Sequence, residues 1–172
     1  EYMKTIKVIL IIISTLVVAF LATGLLVQQT NYSATVSINK PVDEVFNDFM
    51  QIDSVKNWIP DIKSVKPVNI NPGITGSVYD VVVLNQGQEI AMTEKIMAYV
   101  LNEKVTLFYD AENMLKKDDY LFSEENGITT ITLNAACQSE SFIMACMFPY
   151  FRGTFQAQDQ SYLNNFKKFL EE

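Results

Sequence analysis

The chain has 172 residues, 49% of them hydrophobic, with a formal charge of −7, two cysteines and no histidine. That length holds one domain and a short appendage, and the missing histidines exclude Ser-His-Asp and Cys-His nucleophile systems and the commonest zinc sites. From Gln28 onward the chain carries 11 basic and 19 acidic side chains, a net charge of −8, since Glu1, Lys4 and Lys7 are the only charges before it. Such a domain is a poor partner for nucleic-acid phosphates and is repelled by anionic lipid headgroups.

Residues 8–27, VILIIISTLVVAFLATGLLV, run without a charge. About twenty apolar residues at about 1.5 Å rise each match a hydrocarbon core about 30 Å thick, so the stretch is a transmembrane candidate. Lys4 and Lys7 precede it and the next basic residue is Lys40. The positive-inside bias therefore places residues 1–7 in the cytoplasm and makes the protein single-pass, with the remainder outside. A cleaved secretory signal ending near Ala22-Thr23-Gly24 is the competing reading. The run exceeds the usual ~7–15-residue signal core and continues through Leu25, Leu26 and Val27, which favours an uncleaved anchor. Residues 28–33 form a polar spacer, and the domain is expected over 34–172.

Residues 32–39 alternate, with Ala34, Val36 and Ile38 on one face, as a half-buried strand should. Pro41 at the first helical position, with Asp43 and Glu44 behind it, predicts a helix start there. Val42, Val45, Phe46, Phe49 and Ile52 continue at helical spacing. A second short helix is expected over 53–58, ended by Pro60. The pattern then becomes β over 62–68, 77–84, 88–100, 104–109, 115–123 and 128–139, with short polar turns between the runs. Seven closely spaced strands predict one strongly curved antiparallel sheet. A helix from Met147 or Tyr150 to Leu170 closes the chain, with Phe151, Phe155, Tyr162, Phe166 and Leu170 as its buried stripe. Cys137 and Cys146 could pair in an oxidising compartment, but two small buried apolar side chains are the plainer reading.

The order of these elements carries a resemblance. Val36-x-Ile38-x-x-Pro41-x-x-Glu44-Val45-Phe46, then Asp53 and Trp58-x-Pro60, resembles the START-like, polyketide cyclase and dehydrase type of lipid-transport protein, the SRPBCC superfamily, over about residues 32–170. Met92-Thr93-Glu94-Lys95-Ile96 and Phe166-Lys167-Lys168-Phe169 add to it. The resemblance implies an α+β helix-grip fold, a curved seven-stranded antiparallel sheet wrapped around the long C-terminal helix. It also implies a cavity between them for a hydrophobic small molecule or lipid. It supplies no catalytic motif, and fold alone does not choose among carriers, enzymes and interaction modules.

Glu94 is the one catalytic candidate. In phase with Ile90, Met92, Ile96 and Ala98, it points into a cavity if that face is the inner one, and burial would raise its pKa. If Thr93, Met97 and Tyr99 line the inner face instead, Glu94 is an ordinary outward carboxylate. Gln158 and Asp159 interrupt the stripe of the last helix, either as polar orienting groups of a cavity wall or as a solvated edge. Met92, Ile96, Phe142, Met147, Phe151 and Phe155 supply soft and aromatic surface for an apolar ligand, or plain core. The segment SFIMACMFPYF over 141–151 is too apolar for an exposed loop and suits a cavity mouth or lid. Asp110, Glu112, Asp118 and Asp119 around Lys116-Lys117 fit a solvated turn better than a calcium loop. No metal or cofactor is expected. The sequence favours membrane-tethered binding of a hydrophobic molecule. A cyclase- or hydrolase-like enzyme using Glu94 is the alternative, and an interaction module with a vestigial cavity the third reading.

Overall fold

A computed structural model describes residues 2–172. Helix α1 (Tyr2–Leu26) is followed by β1 (Thr30–Ile38), α2 (Val42–Phe49) and a 3-10 turn (Ile52–Asn57). Six strands come next: β2 (Ile62–Asn69), β3 (Val78–Asn85), β4 (Gln88–Val100), β5 (Lys104–Ala111), β6 (Met114–Glu125) and β7 (Ile128–Gln138). A short α3 (Phe142–Met147), a 3-10 turn (Phe148–Phe151) and α4 (Arg152–Glu171) complete the chain. The strands form one antiparallel sheet in the order β1-β7-β6-β5-β4-β3-β2, so the two chain-terminal strands of the meander leave β1 and β2 as edges. Fold class and strand count are as the sequence implies.

Local chemistry accounts for the joints. Gln86-Gly87 and Asn126-Gly127 both take positive φ, the two-residue turn that matches the twist of a hairpin. Pro41 stands one residue earlier than expected, at the N-cap of α2 in extended backbone, while Asp43 and Glu44 fill the first turn. The strand after α1 begins at Thr30, which takes four of the six expected spacer residues into the sheet.

Edge strand β1 is covered by α4 through a regular ladder. Arg152 Nε donates to the Asn31 carbonyl at 2.7 Å, Gln156 Nε2 to the Ser33 carbonyl at 2.8 Å and Gln160 Nε2 to the Thr35 carbonyl at 2.9 Å. The Thr35 amide donates back to Gln160 Oε1 at 3.1 Å, and Lys167 Nζ reaches the Ser37 carbonyl at 2.8 Å. Every second residue from Asn31 to Ser37 is thus met by side chains from one face of the helix, which covers this edge.

The expected helix start near 147–150 is replaced by a break. Pro149 sits in the 3-10 turn, and α3 ahead of it leans away from the sheet onto the C-terminal end of α1. There Gly24 lies against Cys146, whose backbone N and Cα would come within 3.2 and 3.3 Å of any β-carbon on Gly24. Thr23 Oγ1 and the Tyr150 hydroxyl are 2.8 Å apart, and Phe20 stacks on Tyr150 at 6.2 Å. Cys146 and Cys137 are both free and buried, Cys146 at this contact and Cys137 in the domain core. The rest of α1 is exposed apolar surface, and the helix is long and apolar enough to cross a membrane.

Gly24→Leu should force α1 off α3. Overpacking of this kind costs about 1–3 kcal/mol, about five- to 150-fold in the docked-to-undocked ratio. In a Cys137→Ser background the buried Cys146 thiol is expected to resist maleimide in membranes and to become reactive when Gly24→Leu is added. Equal labelling rates with and without that change would show that the contact does not hold.

Candidate functional site: a cavity with a charged floor

The two halves of α4 treat the concave face of the sheet differently. In the C-terminal half Leu163, Phe166 and Leu170 are buried, and Phe166 meets Trp58 at 4.9 Å and Phe49 at 5.7 Å between ring centres. That aromatic plug, which includes Tyr120 and Phe122 packed on Phe49, closes one end. The N-terminal half, with Phe155, Asp159 and Tyr162, stands off the sheet and leaves a cavity of about 340 Å³. Its other walls include Tyr32, Val81, Met92, Lys116, Asp118 and Cys137. This volume lies within the roughly 300–1,000 Å³ of small-molecule pockets. A hollow of about 80 Å³ adjoins it, lined by Glu94, Ile96 and Trp58 and sharing Tyr109 and Tyr120 with the larger space.

The floor of the cavity is ionic. Lys116 Nζ donates to Asp118 Oδ2 at 2.9 Å on its own strand and to Asp159 Oδ2 at 2.8 Å on α4. The Tyr32 hydroxyl donates to the same Asp159 oxygen at 2.7 Å. Burial pulls the Lys116 pKa down, but Asp118 and Asp159 together outweigh it and the ammonium is held more firmly than in water. Burial pushes the Asp118 carboxyl up to about 6, with Lys116 opposing and the Asp159 charge adding to the rise. Asp118 Oδ1 has no partner, although the residue is only 1% exposed. Burial also pushes the Cys137 thiol up to about 11, which leaves it a poor nucleophile.

Two further polar groups lie around the cavity, one in the adjoining hollow and one on the wall. Glu94, paired across the sheet with Tyr109, accepts a hydrogen bond from that residue's hydroxyl. Burial pushes its carboxyl up to about 7; the Tyr109 bond holds it back and the Asp118 charge adds to the rise. On the opposite wall the Tyr162 hydroxyl donates to Asp61 Oδ2 at 2.5 Å and accepts from Gln158 Nε2 at 2.8 Å. Among the described residues no group of three or more His, Cys, Asp or Glu is placed to hold a metal.

Of the residues singled out from sequence, Met92, Phe155, Gln158 and Asp159 line the cavity and Glu94 and Ile96 line the hollow beside it. Asp159 is buried while Gln158 is mostly exposed, so the interruption in the helix stripe is an inward carboxylate beside an edge amide. Phe142, Met147 and Phe151 do not line it. They belong to the segment that leans on α1, where Phe142 and Phe151 are each 44% exposed and Phe148 is the ring that turns inward, against Phe155 at 5.5 Å. The largest correction concerns Asp118, which is not in a solvated turn. It sits mid-strand in β6, in phase with Lys116, Tyr120 and Phe122 on the inner face, and that period-two alternation was the signal available for it. Tyr32, Asp61, Tyr109 and Tyr162 complete the polar set that the sequence did not single out.

No family model matches the chain, and neither does any curated protein. Solved structures do. A START superfamily protein from Mycobacterium smegmatis superposes with a TM-score of 0.68 at 12% identity, covering 81% of this chain and 98% of that one. A conserved protein from Geobacillus kaustophilus gives 0.69 at 11% identity, over 82% and 95%. The di-domain ARO/CYC StfQ from the steffimycin biosynthetic pathway gives 0.68 at 11% identity, over 84% of this chain and 51% of that one. The chain therefore has a START-like, SRPBCC-type fold.

The raised Glu94 carboxyl makes stability depend on pH. The folded state holds this proton up to about pH 7, whereas an unfolded glutamate releases it near 4.5, so stability falls as pH rises through that window. Glu94→Gln should remove this part of the slope. Denaturation followed by Trp58 fluorescence should show the variant gaining on the natural protein between pH 5 and pH 8, on the order of 2–3 kcal/mol. Parallel pH profiles would rule out an inward, desolvated Glu94.

Proposed function

We propose that this protein binds an apolar small molecule or lipid in the cavity between sheet and α4 while α1 tethers it to a membrane, with the domain on the extracytoplasmic side. The observation that carries the reading is the cavity itself. Its aromatic and aliphatic walls surround a few convergent polar groups, the layout that holds a ligand by burial and orients it by hydrogen bonds. Burying the ligand's apolar surface contributes about 25 cal/mol per Å². The fold shared with a START superfamily protein and with an ARO/CYC from a biosynthetic pathway supports the same class of ligand. The seating of α3 on α1 supports the tether, because it places the segment leading to Phe155 beside the membrane helix. Lys4 and Lys7 ahead of the apolar run support the orientation.

A second reading has one observation behind it. A carboxyl with a pKa near 7, hydrogen-bonded to Tyr109 beside the cavity, is suited to general acid–base work on a bound substrate. Glu94→Gln separates the two readings. Turnover of the bound molecule lost with affinity retained marks an enzyme, and equal loss of both marks a carrier.

Native mass spectrometry of the full chain released from nanodiscs should reveal a bound hydrophobic molecule. A ligand at about a hundred times its Kd stabilises by about 2.7 kcal/mol, which at this chain length raises Tm by about 5–10 °C. Val83→Trp, which fills the cavity from β3, should remove both the adduct and the shift while the protein stays folded. Absence of any adduct together with no Tm shift across a broad lipid panel would sink the proposal.

A further inference from the structure

Given that α1 spans a membrane, as proposed above, we infer that the segment 141–151 is a second membrane element, seated in the leaflet on the domain's side, with the cavity wall directly behind it. The inference starts from depth. Residues 8–27 fill the hydrocarbon thickness, which puts Gly24 about 5 Å and Phe20 about 10 Å below the boundary on the domain's side. Those are the positions that α3 and the following 3-10 turn touch, Cys146 against Gly24 and Tyr150 stacked on Phe20 at 6.2 Å. A segment seated there lies in lipid, at the depth of about 5–10 Å that interfacial helices reach.

The chemistry of the segment matches that depth. From Ser141 to Phe151 it carries no charge, and Glu140 and Arg152 bound it on either side. Arg152 turns back to the sheet, where its Nε donates to the Asn31 carbonyl at 2.7 Å. The hydroxyls at the contact are satisfied inside the protein, as lipid requires. Thr23 Oγ1 donates to the Ala19 carbonyl at 3.0 Å, which leaves the Tyr150 hydroxyl to donate to Thr23 at 2.8 Å. The link to the domain is short as well. Val27, Gln28 and Gln29 alone separate α1 from β1, a reach of at most about 14 Å, so the start of β1 stays close to the bilayer. Phe142, Ile143, Tyr150 and Phe151 are exposed beside the exposed Leu25 and Leu26 of α1. A bilayer is the occupant that fits this face, because it continues the apolar surface of the spanning helix and offers no charge to select a protein partner. Phe148 turns the other way onto Phe155, so the cavity wall lies directly behind the segment.

Tryptophan fluorescence of the full chain reads this contact, with one copy per nanodisc so that no second copy covers the segment. The natural protein has a single tryptophan, Trp58, in the aromatic plug at the far end of α4. Its emission should be the same in plain phosphatidylcholine and in phosphatidylcholine brominated on its acyl chains. Ile143→Trp and, independently, Phe151→Trp, both at exposed positions, should add emission that the brominated lipid quenches about twofold or more. Leu101→Trp, exposed in the turn between β4 and β5, should add emission that bromination leaves unchanged. Added emission unquenched at both 143 and 151, or quenched equally at 101, would overturn the inference, while a ligand adduct in native mass spectra would keep the cavity reading standing. A chain that does not enter nanodiscs at all would overturn the tether and this inference with it.

Discussion

The geometry of the domain depends on a match of repeats between α4 and the edge of β1. Four residues of helix advance about 6 Å, and two residues of strand advance about 6.6 Å. Arg152, Gln156 and Gln160 therefore fall opposite Asn31, Ser33 and Thr35 in turn, and Lys167 falls opposite Ser37. The ladder gives the edge strand its missing partners and also fixes the rotation of α4 about its own axis. With that rotation set, Asp159 can point only at the sheet, and it arrives beside Lys116 and Tyr32.

What the helix brings down at that point is a charge triad rather than a hydrophobic contact, and this keeps the cavity open. Had α4 carried large apolar residues throughout, as it does at Leu163, Phe166 and Leu170, the sheet would have closed on it from end to end. Instead Lys116 stands between a strand carboxylate and a helix carboxylate as a polar strut. Buried ion pairs add little net stability compared with apolar packing, while loss of one member leaves an uncompensated charge costing about 3–5 kcal/mol. The triad therefore resists collapse without tightening the fold. The aromatic plug of Phe49, Trp58 and Phe166 supplies the packing at the other end.

Much of this was legible from residue order. Period-two alternation and turn residues located all seven strands, and the apolar stripe located the last helix. Alternation from Ile90 to Ile96 offered an inward Glu94 as one of two readings, and the rival signal from Tyr99 has a physical cause. An irregularity between Ile96 and Ala98 shifts the strand register, so Tyr99 also faces inward and packs on Phe46 at 5.5 Å. Asp118 was hidden by composition, because four charges in the run Lys116 to Asp119 read as solvent even though Tyr120 and Phe122 continue the inner face. Hydropathy prices each of these side chains singly, whereas the burial of Lys116 and Asp118 depends on the ion pair of Lys116 with Asp159, which is distant in sequence and aligned only by the helix ladder. Asp61 and Tyr162 were missed for the same reason, since their hydrogen bond joins distant segments.

The break before α4 joins the cavity wall to α1. A continuous helix from residue 142 would have carried Phe142 and Met147 along the α4 axis. Pro149 lacks the amide such a helix would need there, and the 3-10 turn that results lets α3 lean onto α1. Gly24 permits the close approach, and the Thr23–Tyr150 contact sets the height of α3 on the helix. Phe142, Ile143, Tyr150 and Phe151 then remain exposed next to the end of an apolar run long enough to cross about 30 Å of hydrocarbon. Phe148 is turned the other way and caps Phe155 at the cavity wall. One short apolar segment thus packs on α1 on one side and reaches the cavity wall on the other.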